Sequence, residues 1–167
     1  MDTSTFYATS SALSFTLLGF WWVVVEYRHS DLVHEVAGRR FAFLVSLHFI
    51  LPGLVSLASL LATGPLWRVA FGLAGLTGVA AAVIGTGRLG AAGAALRGLA
   101  RWAWLGLPVY AVITAVAAVP DLVRTGLALE PLQVEGFMLL AILLLGVLLA
   151  WMTFTASGDE AGRAVDA

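Results

Sequence analysis

The chain has 167 residues, 60% of them hydrophobic and 11% charged, with a mean hydropathy of +0.96 and a formal net charge of −1. Soluble domains carry about 25% charged residues, so this composition excludes a water-covered globule, and the balanced charge gives nucleic acid nothing to bind. The absence of cysteine and lysine excludes disulfides, thiolate nucleophiles, iron–sulfur clusters, Cys-based zinc sites and lysine Schiff bases.

All nine basic residues are arginine, the usage expected of a GC-rich bacterial gene. The N-terminal segment carries Asp2 where a signal peptide has a basic region, and no small-residue cleavage pattern follows, so the first apolar run is read as a retained span.

Crossing a bilayer core takes about 20 apolar residues in a helix. Five runs meet that length, at 5–25, 41–62, 66–86, 102–119 and 137–154. Lipid admits only helices and closed barrels, and the runs lack the strict alternation of a barrel. The expected class is therefore an all-α integral membrane protein, one five-helix bundle over 1–155 followed by a short disordered tail at 156–167.

Glu26, Tyr27 and Arg28 close the first run, and the connection after it also holds His29, His34, Arg39 and Arg40. Glu26 and His29 have the i,i+3 spacing of two ligands on one helix face, but a di-iron bundle needs that spacing twice. His29 and His34 are five apart, which is not a same-face pair. A hydrated loop with local ion pairs is the expected state, with no metal.

The second run contains His48, about 12 Å from Arg40 at 1.5 Å per residue. Ionisable residues inside a span are functional candidates by default, although a neutral histidine bonded to a helix carbonyl or a serine is the plainer alternative. With Trp21 and Trp22, Glu26 and His48 are expected to line one inward-facing vestibule. Pro52 in this run and Pro108 in the fourth remove backbone donors, freeing the carbonyls of His48 and Trp104, and are expected to kink their helices.

The third run repeats small residues at Ala70, Ala74, Gly78, Ala82 and Thr86, a ridge widened by Gly72, Gly75 and Gly85, and the fourth has Ala111, Thr114, Ala115 and Ala118. Small residues let helices approach in lipid, so these two runs are expected to form the inner pair. The connection 87–101 is rich in glycine and alanine, with arginines that either anchor a loop or lie on the membrane surface. The segment 121–136 suits a short interfacial helix limited by Pro131. The Leu-rich fifth run is expected to face lipid or a partner.

Seven of the nine arginines (Arg28, Arg39, Arg40, Arg88, Arg97, Arg101 and Arg163) fall on one side of this arrangement. The positive-inside rule then places the N-terminus outside and the C-terminus in the cytoplasm of a cell membrane. There is no phosphate loop, nucleophile elbow, histidine cluster or pair of embedded histidines for haem, so no catalytic residue and no cofactor are expected. The expected function is a non-enzymatic transport component or accessory subunit whose partners are the bilayer, further copies of itself or another membrane subunit. The alternative is a membrane enzyme or proton-coupled transporter that uses Glu26 and His48.

Overall fold

The computed structural model describes residues 2–61, 65–89, 102–127 and 129–155. Over these residues the chain is helical: α1 (Thr3–Tyr27), α2 (His29–Leu32), α3 (Val36–Leu61), α4 (Leu66–Leu89), α5 (Gly106–Ala118), α6 (Pro120–Leu127) and α7 (Pro131–Thr155). Four of them are long and apolar enough to cross a membrane. The bent pair α5–α6, with 94° between its arms, makes a fifth if it counts as one span. Most of the connection 87–101 lies outside the described residues with Arg97 and Arg101, as do Arg163 and the tail.

The centre of the bundle differs from the expected inner pair. In α3, 72% of the hydrophobic stretch is buried, against 22% in α4. The side chains explain this: α3 presents Phe41, Val45, Phe49, Val55 and Ser56 to its neighbours and is bulky on most sides. It therefore packs against α1, α4 and α7, while α4 and α5 pack mainly against each other.

That α4–α5 contact runs through the glycines of the expected ridge and Thr114 of the fourth run rather than through the alanines. A Cβ added at Gly75 would strike Thr114, one at Gly78 would strike the Tyr110 ring, and one at Gly72 would touch Ala117. Glycines three apart thus receive the larger side chains of α5, whereas Ala111, Ala115 and Ala118 are exposed. Glycine removes the Cβ that would hold the axes apart, and a tyrosine ring fills the space. Ala82 is buried near the same seam and Ala74 is half-buried. The Leu-rich α7 is likewise not wholly lipid-facing: Leu139, Ile142, Leu143 and Leu149 are buried on one face, and a Cβ on Gly146 would lie 2.9 Å from both His48 and Phe49.

The two prolines act differently. Pro52 sits inside a continuous α3. Pro108 falls in the first turn of α5, where a missing N–H costs little. The Trp104 carbonyl that it deprives accepts instead from the Leu107 N–H at 3.0 Å, which makes a turn rather than a kinked helix. At the far end of α5, Pro120 starts α6 in a new direction. The Ala117 and Ala118 carbonyls accept from Arg68 Nε and NH2, at 2.9 and 2.8 Å. A cation at a helix C-terminus is favourable, so Arg68 of α4 caps the end of α5 and holds the corner.

The last helix begins six residues earlier than the apolar run. Pro131 is its first residue, a position that suits proline because that N–H has no helical partner and φ is preset. Glu135, expected in an outer loop, therefore lies within α7.

Replacing Gly78 by Leu should destabilise the bundle by about 1–3 kcal/mol or more, since the side chain meets the Tyr110 ring. Leu144→Ala, at an exposed site, should stay within about 0.5 kcal/mol. Thermal unfolding of both variants in one detergent measures the difference.

Candidate functional site

Two groups of buried polar side chains occupy the bundle interior. The first is built around His48. Its ring Nδ1 lies 2.8 Å from the Leu44 carbonyl. Because a carbonyl only accepts, Nδ1 carries the proton and the neutral ring leaves Nε2 as an acceptor. Nε2 is buried without a protein partner, and so is the Tyr110 hydroxyl. The two rings stand 5.9 Å apart, edge to face. A cavity of about 10 Å³ lies between them, lined by Leu44, Leu47, Gly78, Ala81, Ala82 and Ala103 as well. Gly106 closes the other side, where a Cβ would be 3.1 Å from Nε2.

The helices dictate this arrangement. Ala42 and Ser46 of α3 turn towards α1, where Trp21 Nε1 donates to the Ala42 carbonyl and to Ser46 Oγ, both at 3.1 Å. His48, two residues on from Ser46 and so on roughly the opposite side of α3, faces α4, α5 and Gly146 of α7.

The expected vestibule is therefore not assembled. Glu26 does not line the His48 cavity; it is exposed, 3.7 Å from His29 Nδ1. Trp21 is buried in its hydrogen bonds and Trp22 is exposed. His29 and His34 do meet, with ring centroids 5.3 Å apart, because α2 ends at Leu32 and the chain turns back. Arg39 NH1 ties that turn by donating to the Val33 and His34 carbonyls at 2.8 and 3.1 Å. Among the described residues, no three His, Cys, Asp or Glu side chains gather as a metal site.

The second group lies at the opposite end of the bundle and was not anticipated. Glu135 is fully buried, and neither carboxylate oxygen has a partner. It shares the inward face of α7 with Leu139 and Ile142. The start of α1 covers it: Tyr7 OH donates to the Leu132 carbonyl at 2.7 Å, and the Phe6 ring sits where a Gly136 Cβ would be. Beside this contact a groove of about 310 Å³ opens between α1 and α7, lined by Phe6, Tyr7, Leu132, Gly136, Phe137 and Leu140 among others. The sequence held one usable signal for Glu135. Read as a helix start, Pro131 puts Glu135, Leu139 and Ile142 on one stripe at i, i+4 and i+7.

The chain matches no family model, no curated protein and no solved structure. Its sites stand on their own geometry.

An unpartnered buried polar group costs about 1–3 kcal/mol, and an apolar side chain of similar shape removes that cost. Glu135→Met should raise the unfolding midpoint in detergent. A midpoint lowered as much as by a core truncation would mean that Glu135 has a structural partner.

Proposed function

We propose that this chain is a five-span protein of the bacterial cell membrane, with its N-terminus outside and its C-terminus in the cytoplasm, acting as a non-enzymatic component of a transport assembly or as an accessory subunit. Its arginine distribution supports the orientation: Arg28, Arg39 and Arg40 lie at the end of the bundle where α1 finishes and α3 begins. A fifth crossing takes α5 and α6 together as one broken span, bent by 94°, with Asp121 and Arg124 of α6 exposed and Val123 buried.

The observation that carries the functional reading is the tightness of the interior. The cavities at His48 and beside Pro52 are each about 10 Å³, the lower limit for one water molecule. Ligand pockets measure roughly 300–1,000 Å³, so a substrate has no chamber at either place, and among the described residues a groove of about 310 Å³ opens sideways between α1 and α7.

Two measurements test this reading. A reporter fused after Ala167 should be cytoplasmic and one inserted near Glu130 external; the same side for both would refute five spans. Purified from its native membrane in mild detergent, the chain should travel above its 17.5 kDa mass with a stoichiometric partner or further copies. A lone monomer that moves an organic solute across vesicles would overturn the proposal.

A further inference from the structure

The Glu135 carboxyl is fully buried, and among the described residues neither of its oxygens has a hydrogen-bond partner. The two arginines described at this end of the bundle are engaged elsewhere. Arg68 is held by the α5 carbonyls, and Arg124 by Asp121 and Glu130 at 3.3 and 3.7 Å. Tyr7, a titratable group within reach of the Glu135 charge, gives its one hydroxyl proton to the Leu132 carbonyl. A buried carboxylate is tolerated when it is paired, and the described residues leave room for a cation from outside the chain.

The groove between α1 and α7 runs past this place. Gly136, next to Glu135 in the chain, lines it together with Phe6, Tyr7 and Leu132, and a Cβ on Gly136 would lie 2.9 Å from the Phe6 ring. Of the two rings in this wall, Tyr7 is buried and hydrogen-bonded, whereas Phe6 is half-buried and is the one free to turn aside. The groove also has a direction. Thr3 and Gln133 stand at its outer end, while Phe137 and Leu140 line it further in, Leu140 being about 12 Å along α7 from Leu132. Polar at the outer end and apolar inward is the profile of an amphiphile seated in the outer leaflet. Its volume, about 310 Å³, falls within the range of ligand pockets. Phe6, Tyr7 and Phe137 supply the aromatic rings that attract a cationic head. Asp2, beside Thr3, and Glu130, beside Pro131, add two carboxylates at the same end, which disfavour a head that carries phosphate.

We propose that this groove binds a lipophilic ammonium ion, a single-chain amphiphile of net positive charge, from the outer leaflet, with Glu135 as its counter-ion. The alkyl chain lies along Phe137 and Leu140. The Phe6 ring turns away from Gly136, and the head enters beside Tyr7 to pair with the Glu135 carboxylate. The ion is held and not passed on, because the cavities deeper in the bundle, at about 10 Å³ each, are too small for it.

This goes beyond the subunit reading and rests only on its membrane placement. The test measures binding of radiolabelled decyltrimethylammonium to the full chain in phosphatidylcholine liposomes. Binding above that of protein-free liposomes should saturate at one ion per chain, and decyl sulfate should not displace it. Glu135→Gln keeps the side-chain shape and removes the charge, so it should weaken binding by about tenfold or more. Glu135→Met, expected to be more stable than the parent, should show the same loss, which excludes misfolding as its cause. Leu140→Trp, at a site 42% exposed, fills the groove and should abolish the saturable binding, whereas Leu144→Ala should leave it unchanged. The absence of saturable binding would overturn the proposal, as would the parent's affinity in a folded Glu135 variant. Undiminished binding by Leu140→Trp would overturn the placement in the groove, and displacement by added phosphatidylethanolamine would overturn the selection of a net cation. A chain that fails to float with the liposomes would overturn the membrane placement and the site with it.

Discussion

The close approach of α4 and α5 at Gly75 and Gly78 is the contact on which the interior depends. Lipid gives helices little hydrophobic reason to associate, so backbone proximity through small residues has to supply the attraction. Here the missing Cβ atoms of α4 admit the Tyr110 ring, and that ring becomes the wall shared by both small cavities. A bulkier α4 would move α5 outward and separate Tyr110 from His48. Arg68 reinforces the same pair at the opposite end by capping two α5 carbonyls, so the seam is held by packing along its length and by charge-assisted hydrogen bonds at its corner.

The all-helical class and the long apolar helices were legible in the sequence because hydropathy reports directly on the environment a segment tolerates. Side-to-side arrangement was harder to read. Within the small-residue ridge of the third and fourth runs, Gly72, Gly75, Gly78 and Thr114 made the contact while Ala111, Ala115 and Ala118 stayed exposed, because small residues are admitted both at a tight seam and at a lipid-facing surface. Pro108 was read as a kink and falls instead in the first turn of a new helix. Pro131 was taken as a limit on one helix and became the start of another, which carried Glu135 from an expected loop into the bundle. Each proline announced a boundary without saying on which side of it the helix would lie.

For the site, sequence spacing singled out His48 but not its partners. The Glu26 vestibule assumed that two residues at the same end of the chain's first hairpin would face one another. Rotation about the α3 axis decided otherwise: the Trp21 hydrogen bonds to Ala42 and Ser46 fix which face of α3 meets α1, and His48 turns the other way. Tyr110 and Glu135, fifty or more residues further on, carried no local pattern that linked them to it.

Chain order adds a consequence for biogenesis. The central helix α3 emerges early in synthesis, whereas α7, whose Gly146 lies against His48 and Phe49, follows the other described helices. Arg28 at the end of α1 donates to the Thr153 carbonyl near the end of α7 at 2.6 Å, so the same late helix also closes the ring of helices. N-terminal elements assemble first as a chain is made. Until α7 inserts, one flank of α3 with its histidine faces whatever surrounds the nascent bundle, lipid or the insertion machinery. When α7 docks, one late helix covers that flank of α3, buries its own glutamate and meets the end of α1.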